Sequence, residues 1–157
     1  ASGVARGRRV RVRGRAVTAP PLPLGALPLF VASPPFMVDL GVVPTDCSAG
    51  RVVTRVQLEA KHLQHTGFVH AGVVGAIADH TMGAAAQTMA AGGFWVLTAE
   101  FKTSLLRAGR GQRLECIGVV IKPGRQVSFT EAEVFAIDGD VRTLVAKASA
   151  TMAVVKA

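Results

Sequence analysis

Two sets of side chains alternate along residues 52–59, in the part of the chain that follows Gly41. One set is Val52, Thr54, Val56 and Leu58, and the other is Val53, Arg55, Gln57 and Glu59. Successive residues of a β-strand point to opposite faces, so this period of two residues predicts a strand.

Residues 71–91 are apolar and rich in alanine, over a length that favours a helix rather than a strand. Several glycines interrupt this stretch, and each costs up to about 1 kcal/mol inside a helix. We therefore expect a packing reason for them, namely close approach of a sheet to one helix face. The small residues that share this face with Asp79 are Gly72, Gly75, Ala76 and Gly83.

The rest of the chain predicts strands separated by well-marked turns. Long strands joined by tight turns pair antiparallel. The order of one strand, one helix and four strands indicates an α+β domain with one long central helix wrapped by a curled antiparallel sheet. The four later strands are expected at about 94–106, 112–122, 125–137 and 141–154.

Residues 1–33 are rich in arginine and then in proline, and we interpret them as an extended or disordered arm before a domain at 34–157. A short helix is expected to begin at Pro34-Pro35. Subtracting six arginines from the net charge of +8 leaves +2 for the rest of the chain. The arm is open to three interpretations: a targeting peptide, an arm for nucleic acid or another anionic surface, or a segment without function, which we favour. The six are Arg6, Arg8, Arg9, Arg11, Arg13 and Arg15.

Composition argues against several functions. With no Tyr and one Trp, a nucleic-acid surface built on aromatic stacking is a poor fit. No uninterrupted apolar run is long enough to span a membrane. Cys47 and Cys116 match no metal-binding spacing. They form either a disulfide or, in the interpretation that we favour, two reduced thiols of a cytoplasmic protein.

Asp79 is the only charged residue within residues 71–91. A buried carboxylate without a partner is costly, so it finds a partner or changes its protonation. The helix carries no Lys or Arg within a turn of it. Asp79 is either paired with an arginine from elsewhere, solvated at an edge, or catalytic.

The start of the predicted helix is a second candidate feature. The first N–H groups of a helix lack partners inside the helix and carry partial positive charge. Ala71 and Gly72 have no bulk to shield these groups, which can donate to an oxyanion. Gln64 and His70 precede them and can position a carbonyl group or a water molecule, although an ordinary loop residue and a helix cap are the simpler interpretations.

The segment from Gln64 to Gly72, followed by Ala78-Asp79, resembles the signature of the PaaI-type (phenylacetate-pathway) thioesterases of the hot-dog fold. Their pattern has Asn or Gln six residues before a His-Gly-Gly, and an acidic residue nine after that His. Gln64, His70 and Asp79 match these spacings. Residues 97–109 also resemble the strand that follows the helix in that family.

The resemblance implies hydrolysis of acyl-CoA thioesters to free acid and CoA, without a metal or organic cofactor. Asp79 is then the general base or nucleophile, the Ala71 N–H polarises the carbonyl, and Thr98 occupies the place of a helper hydroxyl. Ala71 departs from the family by replacing its first glycine. Other residues expected to bind substrate are Gly72, Phe68, Met82, Phe101, Lys102, Arg107 and Arg110, the last three as partners of CoA phosphates.

Helix geometry separates the two halves of this site. Asp79 lies eight residues after Ala71, which is about 12 Å along a helix. One chain therefore cannot easily bring both groups to one carbon atom. We expect a homodimer with shared active sites, and a homotetramer built as a dimer of dimers is the alternative assembly.

Two other functions remain open. One is a non-catalytic acyl-CoA-binding regulator. The other is a hot-dog dehydratase or hydratase acting on acyl thioesters, which would need a histidine paired with an acid and ranks lower.

Overall fold

A computed structural model describes residues 24–157. The helices are α1 (Leu27–Ala32), α2 (Pro35–Leu40) and the long α3 (Ala71–Gln87), with short 3-10 helices at Leu24–Ala26 and Ala60–His62. The strands are β1 (Val42–Ser48), β2 (Arg51–Gln57), β3 (Phe94–Leu105), β4 (Arg113–Lys122), β5 (Val127–Asp138) and β6 (Val141–Lys156).

The strands form one antiparallel sheet in the order β1-β2-β4-β5-β6-β3. The five predicted strands are confirmed, and so is the fold class, with α3 packed against one side of the sheet. Strand β1 was not predicted, and it is an edge strand with a register shift between Pro44 and Asp46. Proline is tolerated at such an edge because its missing N–H leaves no partner unsatisfied.

One face of α3 is buried against the sheet and supplies the centre of the core. Val74, Ile77 and Met82 are buried on this face, together with apolar side chains of β4, β5 and β6. Burial of such side chains away from water is the main favourable contribution to folding. The face is made of ordinary apolar residues, and the glycines of α3 lie elsewhere.

The expected role of the glycines in α3 is therefore wrong. A Cβ atom added at Gly83 would meet nothing within 4 Å, so the sheet does not approach the helix there. The close approach is made by Gly118 of β4 instead. A Cβ atom at Gly118 would lie 2.7 Å from the carbonyl oxygen of Thr81, so the sheet supplies the glycine that lets helix and sheet meet.

The helix is also shorter than expected, because it ends at Gln87 rather than near residue 91. The Gln87 side chain is buried and turns towards β3. Its Nε2 donates to the Phe94 carbonyl oxygen at 3.1 Å, and its Oε1 accepts from the Val96 N–H at 2.9 Å. These two hydrogen bonds fasten the end of α3 to the beginning of β3.

The structure differs from the expected extended arm at residues 27–32, which form α1. Leu27 and Val31 of this helix are buried in a small cluster with side chains of β2 and α3. The Val31 carbonyl oxygen lies 2.8 Å from His80 Nε2, and the Phe30 ring stacks on Trp95. Proline in the first turn does not prevent a helix, because that turn lacks N–H partners. The arginine-rich residues 1–15 lie outside the described residues.

The expected short helix after Pro34 is confirmed as α2. Both cysteines are free thiols, and burial raises the pKa of Cys116 to about 12. Within residues 24–157, no helix is both long and apolar enough to cross a membrane.

Candidate active site

The middle of α3 presents Asp79 to strand β3. The Thr98 hydroxyl donates to Asp79 Oδ1 at 2.7 Å, which fixes one carboxylate oxygen. The same hydroxyl oxygen lies 3.5 Å from the sulfur of Met152. Asp79 is half-buried, and no salt bridge of the described residues includes it. Its only hydrogen-bonding partner there is a hydroxyl, so the second carboxylate oxygen remains available for chemistry.

The start of α3 is capped by a histidine. His70 precedes the helix in an extended conformation, and its Nδ1 accepts from the Gly72 N–H at 2.9 Å. This nitrogen is therefore unprotonated, and a neutral ring carries its hydrogen on Nε2. The cap uses the Gly72 N–H, so the expectation that this group serves an oxyanion is wrong for this conformation.

The Ala71 N–H is in a different situation. The His70 carbonyl oxygen accepts from Val73 and Val74, and no hydrogen bond among residues 24–157 uses the N–H of Ala71. Ala71 is exposed at the helix start, where the N–H groups point outward along the helix axis. Among the N–H groups of the first turn, that of Ala71 is therefore available to donate to an oxygen atom that gains negative charge.

A cleft of about 540 Å³ opens at this helix start. Gln64, Phe68, His70 and Ala71, which are among the predicted site residues, form one wall of it. The other wall is the segment 105–109, which contains Arg107, a residue predicted to bind a CoA phosphate. The Val69 N–H donates to the Gly109 carbonyl oxygen at 3.0 Å and joins the two walls.

The loop that carries Gln64 is held from inside by His62. Nδ1 of this buried histidine accepts from the Glu59 N–H, and its carbonyl oxygen accepts from the His70 N–H, both at 2.9 Å. The Gln64 backbone closes the turn by bonding Phe68 and Gly67. His62 thus positions the loop, a role that its place in a polar loop did not reveal.

The residues expected to bind substrate divide into two groups. Arg107 lines the cleft, and its Nη1 donates to the Leu144 carbonyl oxygen at 3.2 Å. The Arg110 guanidinium lies 4.2 Å from the centre of the Phe68 ring and covers it. Phe68 therefore lines the cleft and also makes a favourable cation–π contact with Arg110.

The structure does not bring the remaining predicted residues to this cleft. Met82 is fully buried in the core, so its expected contact with an acyl group is wrong for this chain alone. Lys102 lines a recess on the other face of the sheet, beside Glu131 and Lys147. Phe101 lies on β3 beside Gly75 and is 44% exposed.

Asp79 and Thr98 are likewise absent from the lining of the cleft. One chain therefore contains both chemical elements of the expected site, but at two separate places along α3. Within residues 24–157, no group of three or more His, Cys, Asp or Glu side chains is arranged to hold a metal ion.

Comparison with known proteins agrees with the fold. The family model described as the thioesterase superfamily matches residues 66–143, which include His70, Asp79 and Thr98. The chain is similar to this superfamily over those residues, and its fold is the hot-dog fold. No curated protein matches the chain.

Several solved structures are similar. A thioesterase family protein of Silicibacter pomeroyi is 27% identical, with a TM-score of 0.83 over 86% of this chain and 100% of that one. A conserved protein of Pseudomonas aeruginosa is also 27% identical, with a TM-score of 0.72 over 80% and 98%. A Streptococcus mutans protein solved with acetyl-CoA bound is 23% identical, with a TM-score of 0.65 over 73% and 89%.

Proposed function

We propose that this chain is a PaaI-type acyl-CoA thioesterase, which hydrolyses an acyl-CoA to the free acid and CoA. The observation that carries the proposal is the Asp79 carboxylate, held by Thr98 with one oxygen unengaged by the described residues. The superfamily match and the fold similarity to a structure with bound acetyl-CoA support this substrate class.

Two chemical routes use the same residues. As a general base, Asp79 takes a proton from water, and the hydroxide attacks the thioester carbon. As a nucleophile, Asp79 attacks that carbon itself and forms an anhydride, which water then hydrolyses. In both routes the carbonyl oxygen becomes an oxyanion that accepts from the Ala71 N–H. Its collapse breaks the carbon–sulfur bond, and the CoA thiolate leaves and is protonated.

The free edge of the sheet supports a dimeric arrangement. Strand β3 pairs only with β6, so one side of this twelve-residue strand has no strand neighbour among residues 24–157. It contains no proline and exposes Leu97, Phe101 and Leu105. A long apolar edge of this kind is a template for pairing with another chain. We propose that two copies join along β3.

Such pairing would complete the site. Thr98 belongs to this edge strand and bonds Asp79, so Asp79 lies beside the same edge. Leu105, at the other end of β3, lines the cleft at the start of α3. An antiparallel two-fold pairing centred on Lys102, with Ala99 left out of the count at the bulge, sets Leu105 of one chain opposite Thr98 of the other. The carboxylate of one chain then approaches the cleft of its partner.

Two cations suit CoA phosphates at this cleft: Arg107, which lines it, and Arg110, which stacks on its Phe68 wall. The stack of Arg110 on Phe68 leaves the edge of the guanidinium, with its N–H donors, free to face an anion. Lys102 faces the opposite side of the sheet within its own chain, so we omit it from the proposed phosphate contacts.

The direct test is hydrolysis of a panel of acyl-CoA thioesters, followed by detection of the released thiol. We expect Asp79→Asn to keep its circular dichroism spectrum and to lose turnover by about 10²-fold or more, because it cannot accept a proton or attack carbon. Asp39→Asn is the matched control, since Asp39 is an exposed acid on α2. Near-normal turnover in Asp79→Asn would remove the mechanism, and tight binding without turnover by the unaltered chain would indicate a regulator.

A further inference from the structure

The hydroxyl group of Thr103 on β3 has no hydrogen-bonding partner within residues 24–157. Its Oγ1 atom is buried, although the side chain as a whole is only half-buried. Burial of a hydroxyl without a partner costs free energy, and a valine side chain would fill the same space without that cost. Such an atom in a folded protein requires an explanation, and one explanation is a partner that is present only when a ligand is bound.

Thr103 lies on the face of β3 that is turned towards α3. It pairs with Ala148 of β6, which is buried in the core against the helix. Side chains alternate along a strand, so Phe101 and Leu105 lie on the same face, one on each side of Thr103. Both are large and apolar, and they are 44% and 56% exposed. The Thr103 hydroxyl is therefore the polar group in an otherwise apolar row.

This row continues the cleft at the start of α3. Leu105 lines the cleft together with Ala71. Further along, the Phe101 ring is 3.8 Å from the position of a Cβ atom built at Gly75, one helical turn after Ala71. Thr103 is placed between these two contacts, next to a side of the helix that carries only small residues. We name Gly75, Phe101, Thr103 and Leu105 the acyl slot.

The β3-joined dimer of the proposed function connects the acyl slot to the carboxylate. In the pairing centred on Lys102, Leu105 of one chain lies opposite Thr98 of the other, and Thr103 is the diagonal neighbour of that Thr98. Diagonal neighbours on one face of an antiparallel pair are about 7–8 Å apart. Thr98 bonds Asp79, so Thr103 is about this far from the reacting carboxylate. Because CoA occupies the cleft beyond Leu105, the acyl group extends the other way, past Thr103.

We propose that Thr103 is a specificity-determining residue, whose hydroxyl binds a hydroxyl or carbonyl group on the acyl chain about 7 Å from the thioester carbon. A threonine hydroxyl both donates and accepts, so either substituent can pair with it. An unsubstituted acyl chain leaves the Thr103 hydroxyl without a partner, whereas a substituted one satisfies it. The inference rests on the proposed function, and it adds the class of acyl group that the enzyme prefers.

The test compares the hydrolysis of hexanoyl-CoA and 6-hydroxyhexanoyl-CoA, whose hydroxyl is about 7 Å from the carbonyl carbon when the chain is extended. We expect the unaltered chain to prefer the hydroxylated substrate in kcat/KM by about tenfold, the usual effect of one hydrogen bond. Thr103→Val should lose this preference and keep its activity on hexanoyl-CoA, whereas Thr103→Ser should retain the preference. Thr151→Val is the matched control, because Thr151 is a half-buried threonine on the outer face of the sheet, away from α3.

The melting temperature separates a role in specificity from a role in structure. It should not fall in Thr103→Val, because this variant loses only a buried hydroxyl without a partner. A lower melting temperature with reduced turnover of both substrates would assign Thr103 a structural role instead. A chain that hydrolyses hexanoyl-CoA but shows no preference for the hydroxylated substrate, or keeps that preference in Thr103→Val, would overturn the role of Thr103 alone. A chain that hydrolyses neither thioester would overturn it together with the proposed function.

Discussion

The beginning and the middle of α3 offer two different chemical environments on one helix. At the beginning, the Ala71 N–H has no partner among the described residues and opens into a cleft lined by Gln64, Phe68 and His70. In the middle, Asp79 is bonded to Thr98 on an edge strand and does not line that cleft. One region offers a hydrogen-bond donor and space for a ligand, and the other offers a carboxylate.

This difference bears on the quaternary structure. A thioester carbon must lie about 3 Å from both the attacking oxygen and the group that holds its carbonyl oxygen. The helix rise separates the two groups by about 12 Å within one chain. The comparison therefore predicts that neither region is an active site alone, and that a second copy brings them together. The following experiments test the donor, the sharing, the carboxylate and the helix around it.

The largest effect after loss of Asp79 should come from deleting the Ala71 N–H. Ala71→Pro removes only this donor, because proline is tolerated at the first helical position and His70, at φ −65° and ψ 136°, already has the conformation that a following proline requires. We expect kcat to fall by about 10²-fold to 10³-fold, the usual loss for one oxyanion donor. Ala71→Gly keeps the N–H and should stay active, and equal activity in both variants would refute the donor role.

Mixing two inactive variants tests whether the site is shared. In a mixed dimer of Asp79→Asn and Ala71→Pro chains, a shared arrangement leaves one intact site and one doubly defective site. Random exchange of subunits at equal concentration should restore about a quarter of the normal activity. Sites contained within single chains would each keep one defect. Absence of recovery in mixed dimers verified by mass spectrometry would therefore argue against sharing.

The sequence predicted the sheet well because its strands alternate regularly and its turns are rich in glycine. It missed β1, where Pro44 and Asp46 interrupt the alternation at a position that only an edge strand tolerates. It also missed α1, because a proline-rich segment suggests an extended chain, although Leu27 and Val31 are anchored by contacts distant in sequence. Local sequence patterns give no information about contacts between residues that are distant in sequence.

The candidate site was predictable in its residue types more than in its geometry. The spacings of Gln64, His70 and Asp79, largely through family resemblance, pointed to the loop that lines the cleft and to the helix that carries the carboxylate. The hydrogen bond from the Gly72 N–H to His70 Nδ1 depends on the conformation of the histidine side chain, which residue spacing in the sequence does not determine. Lys102 lies on the outer face of the sheet, because a bulge between Thr98 and Glu100 alters which residues of β3 face the helix, and local spacing does not reveal that bulge.

The third experiment concerns the hydrogen bond that orients Asp79. Thr98→Val keeps the shape of the side chain and removes the hydroxyl, so the carboxylate loses its one fixed contact within the described chain. We expect kcat to fall by about tenfold, equivalent to one hydrogen bond of about 1.4 kcal/mol, with KM little changed. Thr98→Ser should restore kcat. A rise in KM with unchanged kcat would show that Thr98 contacts substrate rather than positions Asp79.

The smallest effect should come from His80, which follows Asp79 and faces α1. Burial lowers the pKa of His80, while its hydrogen bond to Val31 and the charge of Asp79 oppose that change. A histidine whose pKa is lower in the folded than in the unfolded protein binds protons preferentially when unfolded. Its contribution to stability is therefore present above the usual histidine pKa near 6.5 and is lost as the pH falls below it.

Thermal unfolding between pH 7.5 and pH 5 measures this contribution. The melting temperature of the unaltered chain should fall over that range by more than that of His80→Gln, whose amide can still donate to Val31 but does not titrate. His65→Gln, at an exposed position, should behave as the unaltered chain does. If His80→Gln shows the full pH dependence, His80 is not its source. The result also defines the pH range in which the protein stays folded around the middle of α3. Within that range, a change in turnover of the Asp79 and Thr98 variants reports on the chemical step and not on unfolding.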